Sequence, residues 1–177
     1  MSRFLLIGLM TMALLPGPAL AVEDSEDGDG PEIVYPEYED AKVMFDFYLD
    51  DPRKIDSALY WIRSLVNPLM ASPYDQSIDL MEIKVIIHGT EIVALAKKNY
   101  DQYKDAVERM RYYAEFGIEF RVCGIAAEDY GYLPGDFYDF VKITPSAITE
   151  LAHWQRQGYA LIQPVIMEKK FSIEEIR

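Results

Sequence analysis

Runs of β-branched and aromatic residues alternate along this chain with stretches of helical period. A strand that is followed by a helix and then by another strand returns to the same edge of its sheet, so the strands lie parallel. The runs are Lys42–Leu49 (KVMFDFYL), Ile78–Ile87 (IDLMEIKVII), Ile118–Val122, Val141–Ile143 and Tyr159–Gln163. Several are apolar at nearly every position, as strands covered on both faces must be. The predicted fold class is therefore α/β: a three-layer sandwich of about five mostly parallel strands with helices on both faces.

The segments between these runs carry start and stop signals. Asp51 is placed as an N-cap with Pro52 in the first turn. Ile55, Ala58, Leu59, Ile62, Leu65, Val66 and Leu69 then form one apolar stripe, which Pro68 is expected to close. The turn His88-Gly89-Thr90 is expected to open the longest helix, with Ile92, Leu95, Ala96, Tyr103, Ala106, Val107, Met110 and Ala114 as its core face. Gly117 supplies the left-handed stop. Ala126–Phe140 reads as a short helix, a turn at Leu133-Pro134-Gly135 and an aromatic link. Thr144-Pro145 precedes a helix over Ser146–Gln157, which Gly158 ends. The remaining tail adds one helical turn or none.

The first residues, MSRFLLIGLMTMALLPGPALA, follow a different logic. One cation, Arg3, precedes an apolar run, and the small-x-small triplet Ala19-Leu20-Ala21 follows a Pro-Gly-Pro break. That is the order of a secretory signal peptide, and the run is short for a bilayer span. The expected organisation is a signal peptide at 1–21, a flexible acidic leader at 22–40, an α/β domain at 41–166 and a C-terminal tail at 167–177. Cleavage after Ala21 implies a periplasmic protein with no membrane span after processing. It leaves 156 of the 177 residues, enough for one domain with a full core.

The net charge of −13 weighs against nucleic acid, which demands clustered cations, and against anionic lipid surfaces. The chain holds a single cysteine, Cys123, so no internal disulfide forms. In an oxidising compartment such a residue is buried, paired with another chain or kept for chemistry.

Ligand and catalytic groups of parallel sheets collect at the carboxyl ends of the strands. Four loops meet that rule: Asp50-Asp51, His88-Gly89-Thr90, Cys123-Gly124 and Thr144-Pro145. Cys123 closes the third strand just before a helix start, where backbone N–H groups favour a thiolate. Gly124 lets a second reactant approach, and Arg121 alternates with Cys123 and so shares its side of the strand. His88 ends the second strand in the same layer, placed either to assist a thiol or to bond backbone as a turn imidazole. Tyr130 and Tyr132, within DYGYLPGDFYDF, either line a small pocket or pack beneath a loop. Asp51 is read as a cap. One cysteine and two distant histidines are no zinc motif, phosphate-cradling glycine loops are absent, and no cofactor is expected.

KVIIHGTEIVALAKKN, GIEFRVCGIAA and ITPSAITELAHWQRQGYALIQP, taken together, resemble the DsrE/DsrF-like family over roughly Lys42–Pro164. The resemblance implies a small α/β sandwich that assembles into trimers or hexamers. It also implies that Cys123 accepts sulfane sulfur as a persulfide and passes it to a partner protein. That would make the chain a sulfur carrier, not a classical turnover enzyme. The residues alone leave a second reading open: a non-catalytic oligomeric binding or assembly module with a buried, inert Cys123.

Overall fold

The computed structural model describes residues 30–38 and 41–177. The expected signal peptide lies outside the described residues, as does most of the expected leader. The leader's last aromatics are packed: Tyr35 and Tyr38 set their rings 6.3 and 5.0 Å from that of Tyr74.

Five parallel strands form one sheet: β1 (Lys42–Phe47), β2 (Glu82–Ile87), β3 (Glu119–Cys123), β4 (Val141–Thr144) and β5 (Ala160–Ile162). Their order is β4-β3-β2-β1-β5. The helices are α1 (Ile55–Met70), α2 (Tyr100–Glu115), α3 (Gly124–Asp129), α4 (Ala147–Arg156) and α5 (Ile173–Ile176).

The strand order decides which face each helix covers. From β1 to β4 the chain steps one way across the sheet. The connection through α4 then steps back over β3, β2 and β1 to set β5 on the far edge. Right-handed crossovers in opposite directions put their helices on opposite faces. Accordingly α1 and α2 pack on Val43, Phe45, Phe47, Ile83, Val85, Ile87, Phe120 and Val122. The other face carries Met44, Ile86 and Cys123 beneath Ala147, Leu151 and Trp154 of α4. The register links the two sets across strands, with Phe45 beside Val85 and Val85 beside Phe120.

Local signals account for most element ends. Gly117 and Gly158 follow α2 and α4 with φ of +86° each, the left-handed conformation that glycine adopts without strain. Asp51 accepts a 2.9 Å hydrogen bond from the Arg53 N–H and caps the turn leading into α1. Three details differ from expectation. α1 runs two residues past Pro68, because a proline in the last turn removes only its own N–H bond. Residues Ile78–Leu80 form a 3₁₀ turn before β2. The expected long helix after His88 is split: 3₁₀ turns at Thr90–Leu95 and Lys97–Asn99 precede α2, separated by an extended Ala96 that bridges to Phe137.

Candidate functional site

Because every strand is parallel, the four loops singled out in the sequence share one edge of the sheet. The acid pair there is consumed locally. Asp50 bonds Lys54 at 2.8 Å, and Asp51 pairs with Arg53, whose hydrogen bonds hold it at about 2.

The β1 and β2 loops are tied together by a buried carboxylate, Glu91. Its Oε2 accepts from Leu49 N at 2.9 Å, and its Oε1 from Gly89 N at 2.9 Å and His88 N at 3.3 Å. Burial pushes the Glu91 carboxyl up, against the pull of those N–H donors. Gly89 is wedged between the loops, where a Cβ would lie 2.4 Å from Leu49 N. Thr90 Oγ1 donates to Leu49 O at 2.9 Å. Gly89 and Thr90 therefore build the loop's backbone.

His88 faces the same side of the sheet as Asp46. Its Nε2 lies 2.7 Å from Asp46 Oδ1, and Gln163 Nε2 donates to Asp46 Oδ2 at 3.1 Å. The Tyr48 ring stacks on the imidazole with centroids 4.8 Å apart. Asp46, His88 and Gln163 thus join the ends of β1, β2 and β5, where the chain's winding direction reverses.

Cys123 ends β3 and directly precedes α3. Ile87 pairs with Val122, so His88 and Cys123 stand opposite one another one position further on. Neighbouring strands run about 4.8 Å apart. The thiol side is closed, however: Cys123 is 6% exposed, within the apolar group beneath α4. Gly124 sits against the end of β4, where a Cβ would approach Thr144 O to 3.0 Å.

Arg121 shares the face of Cys123, and its charge is already taken. Nε donates to Glu150 at 2.7 Å, Nη1 donates to Glu119 at 2.7 Å, and the guanidinium lies 5.3 Å from the Trp154 ring centre. Glu119 also accepts from Lys142 at 2.8 Å and from Lys84 at 3.1 Å. Burial alone would raise Glu119; the three cations overcome it and hold the carboxyl at about 2. Glu150 is lowered in the same way, with Arg121 and the Trp154 N–H prevailing over burial. Lys84, nearly buried, points its ammonium at Trp154 from 4.2 Å. Much of this face is an ionic and cation–π lattice that α4 closes.

The two tyrosines part company. Tyr132 is buried in the core beneath α2, edge-on to Phe137, with its hydroxyl accepting from Asn99 at 3.2 Å. Tyr130 is exposed after α3. The structure brings His88, Gly89, Thr90, Cys123 and Gly124 to one edge and leaves Tyr132 with the opposite core. Sequence reasoning passed over Asp46, Glu91 and Gln163. Asp46 alone left a signal, as the one acid inside the apolar run KVMFDFYL.

No group of three or more His, Cys, Asp or Glu side chains could hold a metal among the described residues. No helix among them is long and apolar enough to cross a membrane. A cavity of about 730 Å³ lies between α1 and α2, on the face away from Cys123.

The model of the DsrE/DsrF-like family matches residues 53–164. A solved structure titled as a protein of unknown function, MTH1491 from Methanobacterium thermoautotrophicum, matches with a TM-score of 0.56 at 19% identity. The match covers 71% of this chain and 100% of that one, and at that identity it speaks for the fold. No curated protein matches.

Proposed function

The chain belongs to the DsrE/DsrF-like family, and from that premise we propose that it is an exported sulfur carrier whose working atom is the Cys123 sulfur. The observation that carries the reading is the position of that residue. It is the chain's one cysteine, it ends a central parallel strand, and it stands across from a histidine tied to an aspartate.

The chemistry is thiol–persulfide exchange. The Cys123 thiol gives its proton to His88, whose Nε2 is engaged by Asp46 and whose Nδ1 remains to accept. The thiolate attacks the outer sulfur of a sulfane donor: Cys–S⁻ + R–S–SH → Cys–S–SH + R–S⁻. An acceptor thiolate then takes that sulfur: Cys–S–SH + R′–S⁻ → Cys–S⁻ + R′–S–SH. The sulfur–sulfur bond broken in each step is replaced by another, so no outside oxidant enters. With Cys123 only 6% exposed, both steps require α4 to move aside.

That same burial favours a second reading, an assembly module with an inert cysteine. One experiment separates them. The purified native protein is treated with polysulfide and mapped by mass spectrometry, with Cys123→Ser as control. A gain of one sulfur at Cys123, lost in the variant and discharged by a small thiol, supports the carrier. No adduct from the native protein, with ready modification after unfolding, supports the inert module.

A further inference from the structure

The segment Phe171–Arg177 carries a helix start with nothing beneath it. Ser172 Oγ accepts from Glu175 N at 3.3 Å, while Ser172 N donates to Glu175 Oε2 at 2.6 Å, a reciprocal capping box. Phe171 and Ile176 occupy the two positions of a hydrophobic staple around that box. Yet Phe171, Ile173 and Ile176 are 60%, 54% and 69% exposed. One helical turn is marginal in water, so a turn with this much encoded start is made to be packed against.

A surface of fitting chemistry lies between α1 and α2. The 730 Å³ cavity there is lined by Tyr60, Trp61, Arg63, Arg109 and Tyr112. Through Arg63 and Tyr112 it continues into an apolar cleft of about 200 Å³ floored by Val66 and Phe116. Arg63 has no carboxylate partner among the described residues, and Arg109 meets Asp56 only at 3.4 Å. Glu174 in the tail likewise has no cation partner among them. Arg63, Arg109 and Lys169 outnumber Asp56 in the groove, and the turn carries Glu174 and Glu175 among apolar residues, so the two surfaces are complementary.

We propose that the segment Phe171–Ile176 docks in the α1/α2 groove of a second copy of this chain, each copy giving its tail to the other. The tail does not fill its own groove, since Phe171, Ile173 and Ile176 stay exposed. Val165–Met167 and Lys169 already form one wall of it, and only Lys170 separates that wall from Phe171. Reversing a chain takes a four-residue turn. Reciprocal exchange between two copies makes a closed, self-complementary contact.

The test compares the purified protein with the double variant Phe171→Asp/Ile176→Asp by light scattering and sedimentation. A labelled peptide spanning Lys169–Arg177 serves as probe. The wild-type protein is expected to form a larger species than the variant, with self-association weakened at least tenfold by the substitutions. The variant, its groove intact, is expected to bind the peptide. Arg63→Glu added to it should cut that binding at least tenfold, and a peptide with Glu174→Lys should recover part of the loss. Unchanged mass in the double variant overturns the proposal, as does a peptide that ignores Arg63→Glu. A wild-type monomer whose Trp61 is nonetheless shielded by its own tail overturns it as well. So does a peptide that binds anionic vesicles and not the protein.

Discussion

Glu91 shows how one side chain can hold a site that it does not touch. Its two oxygens take three backbone N–H groups from the loops after β1 and β2, His88 among them. A carboxylate has only acceptors, whereas the amide of Glu91→Gln must turn an NH₂ toward one of those donors. At a site with no exposure, the orphaned N–H is expected to cost about 1–3 kcal/mol. Chemical denaturation should show that loss, and the His88 ring resonances should shift with it; an unchanged midpoint would refute the role. Cys123 and His88 were legible in the sequence because each ends an apolar run, and the ends of parallel strands are where sites form. Glu91 and Gln163 were not. Glu91 reaches Leu49 across 42 residues and Gln163 reaches Asp46 across 117, and no local pattern marks such a meeting. Glu91 even sits where a charge is expected on the outer side of a helix, while the real backbone is a 3₁₀ turn that folds the carboxylate inward.

Among the elements, α4 is held differently from α1. The apolar residues beneath it are few, and its firmest ties are Glu150 to Arg121 and Trp154 to Lys84. Glu119 and Glu150 are both held below the ordinary glutamate value of 4.5, Glu119 at about 2. A depressed carboxyl contributes stability that is full above its ordinary value and is lost as pH falls through the folded one. The docking of α4 should therefore weaken as pH drops from about 4.5 toward 2. Hydrogen exchange of peptides from Ala147–Arg156, corrected for intrinsic rates, should rise over that window ahead of peptides from α1. Exchange that rises in both together would show that α4 is no separate unit. The sequence did reveal α4, through Thr144-Pro145 before it and Gly158 after it. It hid the lattice, because Lys84 lies on β2 and Glu119 and Arg121 on β3, and the register between those strands sets the meeting of Lys84 with Glu119. The segment after His88 misled in another way: apolar residues at three- and four-residue spacing suit an α-helix and consecutive 3₁₀ turns alike.

Across the whole molecule the sheet is covered unequally. Among the described residues, the core shared by α1, α2 and their sheet face holds 28 buried side chains, against five in the cluster between α4 and the sheet. Strand–helix alternation made the parallel sheet legible from sequence. The order β4-β3-β2-β1-β5 was not, since nothing local tells α4 to carry the chain back to the far edge. That return gives one face two long helices and the other a single short one. Leu59, fully buried at the centre of the larger core, should cost about 2–5 kcal/mol when cut to alanine and lower the melting temperature by roughly 10 °C. Leu151, only partly buried on α4, should cost about 1 kcal/mol when cut in the same way. The two variants should differ in kind as well as size. Leu59→Ala should move the global transition with its cooperativity intact, because the cavity lies where all five strands depend on the same packing. Leu151→Ala should leave that transition nearly in place and instead speed the reaction of Cys123 with a thiol reagent, since the helix above it opens more often. Equal melting shifts with no change at Cys123 would mean that both faces unfold as one, and that the cysteine is no easier to reach than the deepest core.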